Sequence, residues 1–306
     1  MATHKLTSDK DIVSKINRKA FTLIELLVVI AIIALLLSIV MPSLNLVKRK
    51  AASAVCLVNA KNISMAWFMY QEANNGNLVS PNTAEDGWVQ RPLMEDETTV
   101  CDAKWASPET TDEDEKRGIA KGLLFSYLES YDVYHCPADN QRRSMSDGSK
   151  IFRTYSMPAC LSRGFNKKFT NISTPGTKIN LVEEAEGRNY NDGSWDFIAA
   201  NSPQANTYCS GEAFWQDPIG VNHGDSGILG FCDGHAENHK WKDEDTLERI
   251  DLFFNPEKYL GVSINWQGYG FGDNCLSQKF KSMPIYDSSQ KTDLTFVNTA
   301  WAYKYK

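Results

Sequence analysis

No Cys-x-x-Cys pair occurs in the chain, which removes zinc-ribbon and thioredoxin-type redox chemistry from consideration. There is no internal repeat, so a solenoid or propeller array is excluded, and no second long apolar run follows the N-terminal one. Net positive charge is also absent, since Asp and Glu outnumber Lys and Arg by 38 to 32. The formal charge is −6, and residues 1–20, with five basic against two acidic residues, leave the remainder near −9. An acidic body repels nucleic acid, so no nucleic-acid partner is expected.

What is present is concentrated at the N-terminus. From Phe21 to Val40 twenty residues run almost wholly apolar, and Glu25 is the only charged one. At a rise of about 1.5 Å per residue that run matches the hydrocarbon core of a bilayer. A carboxylate inside it costs roughly 2.5–3.5 kcal/mol on insertion scales and calls for a partner. Lys5, Lys10, Lys15, Arg18 and Lys19 precede the run and favour a cytoplasmic N-terminus; Lys48, Arg49 and Lys50 flank its other side. A secretory signal would carry its small residue after the apolar core, whereas Ala20 stands before it.

The string Ala20-Phe21-Thr22-Leu23-Ile24-Glu25-Leu26 resembles the processing site of type IV prepilins and of pseudopilins from type II secretion systems. The resemblance implies a prepilin peptidase cutting between Ala20 and Phe21, N-methylation of Phe21, and an assembly role for Glu25 opposite the amino terminus of a neighbouring subunit. It also implies other pilin or pseudopilin subunits as partners. Ala20 stands where the family usually has glycine, and Pro42 falls where the family commonly has a helix-kinking proline.

After Pro42 the sequence keeps a helical period. Leu44, Val47, Ala51, Ala54, Val58, Met65 and Phe68 occupy a/d-like positions, interrupted by Lys61, with Asn45, Lys48, Ser53, Asn59 and Asn62 on other faces. Such a stripe suits either packing on the chain's own head or packing between copies. Gly76 supplies a stop. The expected organisation is a leader over 1–20, a transmembrane helix over 21–42, an amphipathic stalk over 43–76 and a globular head over 77–306.

In the head, 118–130 reads as a helix, 151–155, 178–183, 227–232 and 235–241 as strands, 294–303 as a weaker strand, and the acidic 109–115 as a solvated loop. Asp233-Gly234 predicts a two-residue hairpin turn. His223, followed by nine residues and Asp233-Gly234, resembles the H-x9-DG region of prepilin-like proteins from planctomycete-type bacteria, and 134–139 is similar to the same heads.

Several constellations bear on chemistry. Gly224-Asp225-Ser226-Gly227 resembles the nucleophile string of chymotrypsin-like proteases, yet no upstream segment supplies a base and an orienter, so it reads as a turn entering a strand. His235, Glu237 and His239 alternate on one strand, with His223, Asp225 and Asp233 nearby in sequence; His223, Asp233, His235 and His239 are the metal candidates. Asp192, within Asn191-Asp192-Gly193-Ser194-Trp195-Asp196, is a candidate calcium ligand, although ordinary turn chemistry is the favoured reading of the segment. His135-Cys136 is no dyad, because adjacent strand residues face opposite ways. The scattered tryptophans suit core packing or a groove. Seven cysteines (Cys56, Cys101, Cys136, Cys160, Cys209, Cys232 and Cys275) leave disulfide pairing open.

The expectation is therefore an α+β, pilin-like chain, a long N-terminal helix packed on an antiparallel-sheet head. It is a single-pass inner-membrane protein with its head in the periplasm, non-enzymatic and without cofactor. Its role is a structural subunit of a type II secretion pseudopilus. The alternatives are a type IV pilus-like surface fibre and a membrane-anchored binding module or hydrolase that uses a prepilin leader.

Overall fold

A computed structural model of the chain describes residues 22–100, 111–139, 152–161, 167–184, 193–198, 214–215, 217, 219–244, 246–247 and 292–300. The chain divides into two units, Met1–Lys48 and Arg49–Lys306. Helix α1 (Leu23–Ala73) begins in the first and ends in the second. Its Leu and Ala content favours helix. It stops where Asn75 and Gly76 take φ of 56° and 73°, and the Gly76 N–H returns to Gln71 O at 2.7 Å.

In the second unit a mixed five-stranded sheet has the order β3-β1-β2-β6-β7, with β1 Tyr155–Pro158, β2 Ile179–Glu183, β3 Ser194–Trp195, β6 Ser226–Phe231 and β7 Ala236–Lys240. β1, β2, β6 and β7 pair antiparallel, and β3 joins β1 in parallel at Met157↔Ser194. The parallel edge strand departs from an all-antiparallel expectation. β4 (Phe197–Ile198) and β5 (Phe214–Trp215) form a separate ribbon. Helix and sheet together give the α+β class.

Cys56, Ala60, Ile63 and Trp67 of α1 share one buried core with Tyr155, Met157, Leu181, Val182, Ile228 and Leu229 of the sheet. Ser64 Oγ donates to Asn180 Oδ1 on β2 at 2.9 Å, and Tyr155 Oη donates to Cys56 O at 3.3 Å. The helix approaches so closely that a Cβ at Gly230 would collide with Ser64 Oγ.

Several segments differ from their sequence-based expectation. The acidic 109–115 does not form a solvated loop throughout: α2 (Asp112–Lys121) starts there, capped by Thr111 and Asp114 in a reciprocal box. Four acids in its first turn favour the positive end of the helix. Asp114 and Glu115 are buried, and Glu115 Oε2 accepts from Phe152 N at 3.1 Å. The single helix expected over 118–130 breaks at Gly122, where the backbone is extended, and resumes as α3 (Phe125–Leu128).

The strand expected over 151–155 lies later, at Tyr155–Pro158. Thr154 is drawn instead into a side-chain network with Cys136 N and Asp139. The strand expected over 294–303 is a helix, α4 (Thr292–Ala300). Thr, Val and Phe there mimic a strand, but Val297 and Ala300 bury at helical spacing. Its start is fastened by reciprocal bonds: Asp293 Oδ2 accepts from Asp243 N at 2.9 Å, and Asp243 Oδ2 accepts from Asp293 N at 2.7 Å.

The β6–β7 turn has three residues, Cys232, Asp233 and Gly234. Gly234 takes φ +90°, its N–H reaches Phe231 O at 2.9 Å, and the Phe231 N–H reaches His235 O at 2.9 Å. This is the three-residue hairpin, with glycine in the left-handed position.

Candidate functional site

Of the N-terminal processing string, Ala20 and Phe21 lie outside the described residues, and Thr22 opens the described part. Thr22 N and Thr22 Oγ1 both donate to Glu25 Oε2 at 2.8 Å, and Glu25 N donates to Thr22 Oγ1 at 3.2 Å. Thr-x-x-Glu here is a capping box, a pattern legible in the sequence beside the processing string. The acid already has a partner inside its own first turn. Both Thr22 bonds end on Oε2, which leaves Oε1 open among the described residues.

From Leu23 to Val47 the large apolar side chains are exposed, and among the described residues one helix is long and apolar enough to cross a membrane. Pro42 sits inside the helix and gives no N–H to the Ser38 carbonyl. Around it Ser38 Oγ donates to Leu35 O at 2.7 Å, and Ser43 Oγ donates to Ile39 O at 3.0 Å.

In the second unit the buried face of α1 is not the predicted stripe. Ala51, Ala54, Val58 and Met65 are exposed and Phe68 is half-buried, whereas Cys56, Asn59, Ala60, Ile63, Ser64, Ala66, Trp67 and Gln71 are buried. The inward face tolerates polar residues because the head satisfies them. Asn59, expected off the apolar stripe, donates to Asp132 O at 3.2 Å and to His135 O at 3.1 Å.

The metal candidates go to different places. Asp233 and His235 pair with each other at the hairpin tip, Oδ1 to Nδ1 at 2.5 Å, and His235 stacks on Phe231. Burial alone would raise the Asp233 carboxyl, but the His235 bonds outweigh it and hold the group below the usual range. His239 stacks on Phe296 of α4 at 4.0 Å, and burial lowers its imidazole against the pull of Asp293 and Glu237. Asp192 lies outside the described residues. Gly224–Gly227 is a turn into β6, with Gly224 at φ +79°.

His223 stands apart from these, in the core. Its Nε2 is 3.0 Å from Glu183 Oε1 and 3.5 Å from Cys136 Sγ. Cys136 is disulfide-bonded to Cys56 of α1, with Cα atoms 5.2 Å apart. Glu183 Oε2 accepts from Ile228 N at 3.1 Å, and burial raises the Glu183 carboxyl while the His223 bond opposes it. The nine-residue spacing therefore puts His223 one turn before β6 and Asp233-Gly234 at that strand's far end. Cys56, Cys136 and Glu183 escaped sequence reasoning, since nothing local ties them to His223. Cys160 and Cys232 are buried, Cys232 as a free thiol; Cys101, Cys209 and Cys275 lie outside the described residues.

No curated protein and no solved structure matches the chain. Residues 15–41 match the family model described as the prokaryotic N-terminal methylation motif, a span holding Ala20, Phe21 and Glu25 and supporting a prepilin-type leader.

Proposed function

We propose that the chain is a structural subunit of a type II secretion pseudopilus. A prepilin peptidase cuts between Ala20 and Phe21, the new amino group of Phe21 is methylated, and the mature chain assembles through α1. The precursor spans the inner membrane with its leader cytoplasmic and its head periplasmic. The head is non-catalytic and needs no cofactor in this role. The observation that carries the proposal is the methylation-motif match over residues 15–41, coinciding with an exposed apolar segment of α1 whose one acid, Glu25, lies in the helix's first turn.

Cleavage leaves a cationic amino terminus beside the membrane, four residues from a carboxylate in a costly place. Pairing Glu25 of one subunit with the amino terminus of a neighbour removes two unpaired charges together. Glu25 Oε1 accepts that second bond while Oε2 keeps the Thr22 cap. The exposed residues Val58, at 55 %, and Met65, at 40 %, give further apolar surface for neighbouring copies.

The capping box supplies the discriminating variant. Gln at this position also closes the box, so Glu25→Gln keeps the helix start and removes the charge, whereas Glu25→Ala removes both. The expected result is loss of filament incorporation in both variants. Normal incorporation of Glu25→Gln would reduce Glu25 to a cap. Mass spectrometry of the mature N-terminus should find methylated Phe21; an intact Met1 overturns the proposal. Deletion should abolish export of secreted enzymes; surface fibres containing this chain, with export intact, would favour the pilus alternative. Full activity of an unassembled chain would favour the anchored module.

A further inference from the structure

One cluster in the head is unused by filament assembly. Cys56 on α1, Cys136 after α3, Glu183 at the end of β2 and His223 ahead of β6 each present one ligand atom, all within 4.8 Å of one another. The four come from separate elements, so they meet only when the head is folded. The side chains of Glu183 and His223 are 0 % and 2 % exposed, and both cysteines are buried.

The geometry is convergent and does not form a relay. In a nucleophile–histidine–acid relay the acid holds one ring nitrogen and the nucleophile faces the other. Here Glu183 Oε1 and Cys136 Sγ both face Nε2 of His223, at 3.0 and 3.5 Å. Nδ1 has no hydrogen-bond partner among the described residues, so every polar contact of the ring points into the cluster. A tetrahedron around an ion with bonds of about 2.0–2.3 Å has edges of about 3.3–3.8 Å, which the cluster's non-bonded separations, from 3.0 Å and all within 4.8 Å, bracket. Two thiolates and a carboxylate cannot remain charged together in so dry a site without a cation.

We propose that, once the Cys56–Cys136 disulfide is reduced, the two thiolates, His223 Nε2 and the Glu183 carboxylate bind one zinc ion. The junction between α1 and the rest of the head is then cross-linked by a disulfide or by a metal, never both. A dithiol breaks the S–S bond, passes two electrons and two protons to the sulfurs and closes to its own disulfide. Zinc then displaces the two thiol protons to solvent, together with the Glu183 proton where that acid is protonated. Mixed sulfur, nitrogen and oxygen donors in tetrahedral array suit zinc over harder cations.

The test uses the full chain in detergent, stripped of metal by a chelator that is then removed. A water-soluble phosphine reduces the disulfide, taking oxygen from water to become the phosphine oxide and leaving two thiols. Zinc is titrated against a chromophoric chelator, and Co²⁺ is added in parallel as a spectroscopic probe. The reduced chain should take up about one zinc and give sulfur-to-cobalt charge-transfer bands, and the oxidised chain should take up none. His223→Ala should weaken zinc binding by at least ~100-fold, beyond the loss typical of an outer-shell change. Circular dichroism follows folding, and if the reduced metal-free chain unfolds, zinc should restore it. The proposal fails if reduced wild type binds zinc no more tightly than Cys56→Ser/Cys136→Ser, if the cobalt spectrum lacks sulfur bands, or if zinc does not restore an unfolded reduced chain.

Discussion

Removing the Cys56–Cys136 link, with a chelator present to keep metal away, tests how far the head depends on it. The bridge closes a loop of sequence separation 80. Loop-closure entropy for that length is about −15 cal/mol/K, or about 4.5 kcal/mol at 25 °C. For a unit of this size each kcal/mol moves the melting midpoint by about 2–4 °C, so reduction should lower Tm by about 9–18 °C. The fold itself should persist at room temperature, because Cys56 lies beside Ala60, Ile63 and Trp67, all fully buried on the same face of α1. The polar frame is also retained: Cys136 N donates to Thr154 Oγ1 at 3.0 Å, a backbone bond that Cys136→Ala keeps. The assay is a near-ultraviolet circular-dichroism melt, which follows the packing of buried Trp67, Trp88, Trp195 and Trp241. Wild type, phosphine-treated wild type and Cys56→Ala/Cys136→Ala are compared, with the disulfide verified by mass. A drop smaller than about 2 °C in both reduced samples would refute the reasoning, since the link would then not constrain the unfolded chain.

Two further outcomes follow from particular contacts. Burial lowers the His239 imidazole, so its share of stability is complete above the unfolded value of about 6.5 and is lost as pH falls through the folded value. Its ring lies 4.6 Å from Trp241, so Trp241 fluorescence should report loosening of the α4–β7 packing between pH 7.5 and 5.5. His239→Phe, which keeps a stacking ring against Phe296, should flatten that response; an unchanged slope would be contrary. Val58→Lys, at an exposed position of α1, should change head stability by less than about 0.5 kcal/mol. It should nonetheless block incorporation into filaments, and normal incorporation would remove this face from the assembly surface.

Sequence carried the N-terminal quarter of the molecule well because its features are local. The apolar run, the single acid, the Thr22–Glu25 box and the stop at Asn75-Gly76 all lie within a few residues of their causes. The β6–β7 hairpin was legible for the same reason, apart from one extra residue in its turn. What escaped was non-local. The acidic run over 109–115 looked solvated because the backbone N–H of Phe152, which Glu115 serves, lies thirty-seven positions on. The C-terminal segment looked like a strand because its Asp293 fastening depends on Asp243, fifty positions away. The His223 cluster needs four elements, and its partners span Cys56 to His223. No window reading holds such a distance.

The face that α1 buries differs from the apolar stripe of its sequence for a reason that bears on function. A periodicity search favours the more apolar face, and in a monomeric amphipathic helix that face turns inward. Here the inward face carries Asn59, Ser64 and Gln71, and the head supplies partners such as Asp132 O, His135 O and Asn180 Oδ1. The cleaner apolar set, with Ala51, Ala54, Val58 and Met65 in the second unit, faces out. A helix that buries Cys56, Ile63 and Trp67 together with hydrogen-bonded polar residues on one side, and leaves a second apolar set uncovered on the other, is organised for two kinds of contact. The inward face is fixed by hydrogen bonds and a disulfide, which specify one register. The outward face offers non-directional apolar area, which suits repeated packing against identical neighbours.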